Sequence, residues 1–247
     1  FTHWLVGMGI IVFAIALLPA LGIIGSKIAK AETTGPTFGK LTPKLSETAK
    51  ILYLIYLGMT IVEVVLLMLG GLDLYDALIH TFGSVGTGGY SSYNASIAKF
   101  DSLYIDIVIT VFMFLAGTNF TLYYHALRGH WRDIFSDNEF KCYLIIFSSA
   151  SALIALNLWA NHSYESLGQS IRYSVFQSAS IMTTTGFTTA DFDLWPSFCK
   201  MILFILMFIG GCSSSTSGGM RVVRFLLIFK YLKRGIAIRL HPHAVVS

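Results

Sequence analysis

Apolar residues come in long runs, separated by short polar stretches. The runs at 4–24, 51–69, 103–127 and 142–160 are apolar apart from scattered polar positions. Each is long enough to cross about 30 Å of hydrocarbon as a helix. The run at 73–85 is too short for that, and is predicted to enter a membrane as a helix, turn at 86–92 and leave on the side it came from. A second unit of this kind is predicted at 167–184, with Asp191, Asp193 and Pro196 marking its exit. The last run, 198–209, covers only about 18 Å at 1.5 Å per residue. It is followed by Gly210, Gly211, Cys212, Ser213, Ser214, Ser215, Thr216, Ser217, Gly218 and Gly219, ten residues with no large apolar side chain. A basic amphipathic segment, 220–239, continues from there.

Composition places this pattern in a bilayer. Hydrophobic residues make up 55% of the chain and charged residues 12%, against about 25% charge in a soluble domain. The fold expected is therefore an all-α polytopic membrane protein, with no nucleic acid among its partners. Of its 17 lysines and arginines, all but Lys99, Arg172 and Lys200 lie in the segments 26–50, 128–141 and 221–247. Those segments are read as cytoplasmic, so both short helix-turn units open outward. Asp73, Asp76, Asp101, Asp106, Glu165, Asp191 and Asp193 then lie toward the outer face, an excess that draws cations to a mouth. Cys142, Cys199 and Cys212 are far apart and fit no metal-ligand spacing, so they are expected as free thiols. His241-Pro-His243 reads as a polar loop rather than a metal site. Phe1 opens almost directly into an apolar segment, as an excerpt from a longer protein would.

The two short units repeat one another. With Gly89 set on Gly186, Thr87-Gly88-Gly89-Tyr90-Ser91-Ser92 lies over Thr184-Thr185-Gly186-Phe187-Thr188-Thr189. Both copies read Thr-x-Gly-aromatic, close to the core of a potassium-channel filter loop. Glycine lets a backbone turn its carbonyls inward, and threonine adds a hydroxyl ligand without a charge. A helix that ends in such a turn aims its negative dipole end at it, which suits a cation. Thr87, Gly88, Gly89, Thr184, Thr185 and Gly186 are therefore the candidate ion-lining residues, through their carbonyls. The run 210–219 is the candidate gate: its glycines weaken the helix, and its position puts it beneath the second turn. Shortening the run is expected to raise partner-independent flux and to leave K⁺ preference intact, because the turns themselves are unaltered. The basic segment after it, from Arg221 onward, is either a handle for a soluble partner or a cytoplasmic anchor. Glu63 within the second span is expected to face protein or water, and Asn119 to tie helices together from within the third.

The pattern of helix, short unit and helix occurs twice. It divides the chain into residues 1–50, an inner helix of a preceding unit with its linker; 51–141, one pore unit; and 142–247, a second pore unit carrying the gate. With its motifs WLVGMGIIVF at 4–13, LTPKLSETAK at 41–50, HTFGSVGTGGYSSYNAS at 80–96, TTTGFTTADF at 183–192 and GGCSSSTSGGM at 210–220, the chain resembles the membrane subunits of Trk-type bacterial potassium uptake, TrkH/TrkG, within the Trk/Ktr/HKT superfamily. The resemblance implies four pore units around one K⁺ pathway in the bacterial inner membrane. It also implies a homodimer and a cytosolic nucleotide-binding regulatory subunit of the TrkA type. Units two and three, with the inner helix of unit one, would be the part present here. No catalytic residue and no cofactor beyond transported K⁺ is expected.

A membrane enzyme using Ser213, Ser214 or Ser215 as nucleophile is the alternative. It needs a base within hydrogen-bond reach, for which His80 and His125 are the nearby candidates. The run lacks the Lys-Ser/Thr ending of a phosphate loop. Pure close packing of small residues would account for part of it.

Overall fold

The computed structural model describes residues 1–7, 45–129 and 131–240, with backbone alone at 45–48, 235 and 237–240. Most of the expected first span, residues 26–44 of the linker that follows it and the His241-Pro-His243 segment lie outside the described residues, while the end of that linker, 45–50, is already helical. Within them the chain is helical and forms no strand. That is the arrangement an apolar chain needs in lipid, where each backbone N–H and C=O must find its partner inside its own segment.

A short helix α1, Thr2–Gly7, packs beside the first unit. Helix α2, Leu45–Leu69, contains an apolar stretch of 21 residues, long enough to span. Helix α3, Leu74–Val85, is the first short helix. The third apolar run is not one unbroken helix. It is α4, Leu103–Ala116, and α5, Phe120–Leu127, bent by 96° at the break. The cause is local: Asn119 accepts a hydrogen bond from the Thr121 backbone N–H at 2.9 Å, so it caps a new helix rather than reaching across to a neighbour.

The short α6, Trp131–Ser136, leads into α7, Asn138–Ala160, the second unbroken helix long enough to span. Asp137 caps α7 by accepting from the Phe140 N–H at 2.7 Å. Helix α8, Leu167–Met182, capped by Ser166, is the second short helix. It is followed by α9, Ser197–Phe208, and α10, Val222–Leu240, with the small-residue run between them.

Packing separates into two hydrophobic clusters. One gathers Tyr56, Leu67, Ile109, Met113 and Phe120 around α2 to α5 and receives Phe176 and Phe187 from the second half. The other gathers Tyr143, Ile154, Leu158, Leu203 and Cys212 around α7 to α10. Between them α8 lies against both α7 and α4, and Arg172 of α8 donates to the buried Asp106 of α4 at 2.7 Å. Asp106 is thus committed to an ion pair and is not one of the free acids of an outer rim. The three cysteines are free thiols.

Candidate ion pathway

The two turns share more than sequence. In the first, the N–H groups of Gly86, Thr87, Gly88 and Gly89 donate to the carbonyls of Phe82, Ser84, Gly83 and Gly83. In the second, those of Thr183, Thr184, Thr185 and Gly186 donate to Ala179, Ile181, Ser180 and Ser180, position for position in the register set by Gly89 and Gly186. Both threonines are left-handed, Thr87 at φ 51° and Thr184 at φ 57°, and both glycines follow at φ 62° and φ 93°. Two separate stretches of sequence therefore fold into one backbone shape.

Each chain segment doubles back after its turn. His80 meets the Ser91 hydroxyl at 2.9 Å, and the hydroxyls of Ser92 and Tyr93 donate to the two carboxylate oxygens of Asp76 at 2.8 Å, in the first turn of α3. Those two bonds hold the Asp76 carboxyl below the usual aspartate range. The clasp is thus fully formed above that range and is lost as pH falls through the lowered value. In the second unit Trp195 comes back to donate to the Tyr164 hydroxyl at 2.9 Å, just ahead of α8. The α3 helix, about 18 Å long, thus has the segment that follows its turn lying back alongside it.

The turns meet. A side chain placed on Gly89 would lie 2.1 Å from the Thr185 carbonyl oxygen, so only glycine lets the two backbones approach this closely. The Phe187 ring is fully buried, 5.8 Å from the His80 ring on α3. The Thr188 carbonyl accepts from the Ala98 N–H at 3.2 Å. Behind the first turn, Glu63 is fully buried and accepts the Ser84 hydroxyl at 2.5 Å. Trp4 of α1 donates to the Thr60 hydroxyl at 3.0 Å and accepts from Tyr56 through its carbonyl at 2.9 Å.

The run 210–219 leaves α9 and returns to α10 as a closed loop, the Gly210 N–H donating to the Met220 carbonyl at 2.9 Å. It is threaded into the break between α4 and α5. Cys212 and Thr216 donate through their N–H groups to the carbonyls of Gly117 and Ala116, and Phe120 donates to the Ser214 carbonyl. Gly211 has no room for a side chain, since a Cβ there would fall 2.5 Å from the Gly117 carbonyl oxygen. The loop also touches both turns. The Thr87 hydroxyl donates to the Thr216 carbonyl at 3.0 Å, and the Thr184 hydroxyl accepts from the Gly218 N–H at 2.7 Å. The loop and both turns are therefore tied together by hydrogen bonds.

Two residues that the sequence did not single out as holding the loop do so. One carboxylate oxygen of Glu139, in the first turn of α7, accepts from the Ser213 N–H at 2.6 Å, the Ser213 hydroxyl at 3.0 Å and the Val223 N–H at 3.3 Å. The Arg221 guanidinium donates to the carbonyls of Cys212 and Ser217 and to the Ser215 hydroxyl, at 3.2, 2.5 and 2.9 Å. Arg221 is thus folded into the loop rather than displayed as a cytoplasmic handle.

Among the described residues, neither histidine candidate is hydrogen-bonded to a serine of the 210–219 run. The Ser213 and Ser215 hydroxyls donate to Glu139 and to the Cys212 carbonyl. His80 is engaged by the Asp76 carbonyl and Ser91, and His125 lies 3.6 Å from Asp133. What the turns offer chemically is uncharged oxygen, from carbonyls and hydroxyls, at the negative ends of two helices.

Comparison with known proteins fits this geometry. The TrkH family, described as a cation transport protein, matches residues 1–247. The Trk system potassium uptake protein TrkH of Vibrio parahaemolyticus is 41% identical, over all of this chain and 52% of that protein. TrkH of Escherichia coli K12 is 39% identical, over 99% of this chain and 51% of its own length. TrkG of the same organism is 35% identical, over 98% and 50%. The crystal structure of the potassium transporter TrkH from Vibrio parahaemolyticus superimposes with a TM-score of 0.84 at 38% identity, covering this whole chain and 50% of that one. The chain spans about half the length of the curated relatives it matches.

Proposed function

The chain belongs to the TrkH family of cation transport proteins, and from that premise we propose that it supplies two of the four filter turns of a K⁺ uptake pathway in a bacterial inner membrane. The filter residues are Thr87, Gly88 and Gly89 with Thr184, Thr185 and Gly186, and K⁺ is the transported substrate. The units are 51–141 and 142–247, preceded by the inner helix and linker at 1–50. The loop 210–219 is the gate. The assembled protein is a homodimer that works with a cytosolic nucleotide-binding subunit of the TrkA type, and its task is transport rather than catalysis. The observation that carries this reading is the shared backbone shape of the two turns, with one loop hydrogen-bonded to the same threonine in each.

The test is Rb⁺ influx into liposomes holding the full-length protein, with Na⁺ as competitor. Influx that excess Na⁺ leaves largely intact is expected, and equal competition by Na⁺ would refute the reading. Orientation has its own test. Cysteines at the exposed positions Ser92 and Leu194 should react with an impermeant thiol reagent from outside, and one at Arg234 only from inside. Reaction of all three from one face would reverse the assignment of both turns.

A further inference from the structure

Resting on that reading, we propose that the 210–219 loop sets the ion preference of the filter as well as opening the path, with Thr216 and Gly218 as specificity-determining residues that need touch no ion. Thr87 and Thr184 begin the two turns at equivalent left-handed positions. Each commits its hydroxyl to the loop backbone, with opposite polarity: Thr87 donates to the Thr216 carbonyl, and Thr184 accepts from the Gly218 N–H. The far side of the loop is pinned independently. Thr216 donates twice to the Ala116 carbonyl, through its N–H at 3.2 Å and its hydroxyl at 3.1 Å. Thr216 is therefore a strut running from the end of α4 to the first turn.

Discrimination between K⁺ and Na⁺ depends on the size of an oxygen cage or on the number and field of its oxygens. A residue anchored by its hydroxyl carries its carbonyl with it, so displacing the loop changes both quantities. Withdrawal of the loop frees both threonines together. The open path therefore has a different ion preference from the path with its loop seated.

Gly218 allows a test that leaves the turn sequence unaltered. A Cβ there would lie 3.0 Å from the Thr184 hydroxyl, tight enough to push on it. Gly218→Ala in the full-length protein, assayed by Rb⁺ influx against Na⁺, should weaken the Rb⁺ preference by about 2- to 10-fold, the range spanned by one hydrogen bond. Thr216→Val, which removes the hydroxyl bond to Ala116, should shift the ratio in the same direction and guards against misfolding of the first variant. If both variants scale Rb⁺ and Na⁺ influx together, or change neither, the loop is a gate alone and the proposal fails. A changed ratio in Gly89→Ser beside an unchanged one in Gly218→Ala would overturn the loop's role while leaving the pathway standing. An unmodified protein without Rb⁺ preference would overturn the pathway itself.

Discussion

Gly89→Ser should abolish most of the discrimination between K⁺ and Na⁺. The added Cβ would sit 2.1 Å from the Thr185 carbonyl oxygen, far inside van der Waals contact, so one turn must move away from the other. The residue also holds φ 62°, a left-handed conformation that costs an L residue about 1–2 kcal/mol. Collision and strain act in the same direction. Gly186→Ser meets no heavy atom within 4 Å among the described residues but faces φ 93°, so a smaller loss of discrimination is expected there. Rb⁺ influx against increasing Na⁺ measures both. Full discrimination retained in both variants would remove these turns from the ion path.

Glu139→Ala should raise influx in the absence of the regulatory partner. The substitution leaves the Ser213 N–H, the Ser213 hydroxyl and the Val223 N–H without their shared acceptor. Orphaning buried donors costs about 1–3 kcal/mol. A shift of about 2 kcal/mol against the seated loop corresponds to roughly thirtyfold in the ratio of open to closed. Glu139→Gln keeps an acceptor oxygen and should give a smaller rise. Unchanged partner-independent influx in a normally folded Glu139→Ala protein would show that the loop is held elsewhere.

Much of the architecture could be read from hydrophobic run lengths. The 51–69 and 142–160 runs lie within single helices, and the short helix at 74–85 falls where a run too brief to span demanded one. The register between the turns was equally legible, because threonine and glycine stand at the same left-handed backbone positions in both copies. The break at 117–119 was hidden inside an apolar run, where a Gly-Thr-Asn triplet was its only signal. Asn119 as a cap looks the same in sequence as Asn119 between helices.

Glu139 and Arg221 were obscured for a related reason. An acid in the first turn of a helix and an arginine at a membrane boundary each have an ordinary explanation, in the helix dipole and in the positive-inside bias. Their convergence on one loop comes from tertiary folding. In sequence Asp106 falls among the acids toward the outer face, and packing pairs it with Arg172.

The claim that these turns hold the ion is tested most directly by anomalous diffraction from crystals of the full-length protein grown in Rb⁺. Anomalous peaks are expected between the two turns, within coordination distance of carbonyl oxygens of Thr87, Gly88, Gly89, Thr184, Thr185 and Gly186. Ordered Rb⁺ found elsewhere in the membrane-embedded part, with none between the turns, would contradict the account.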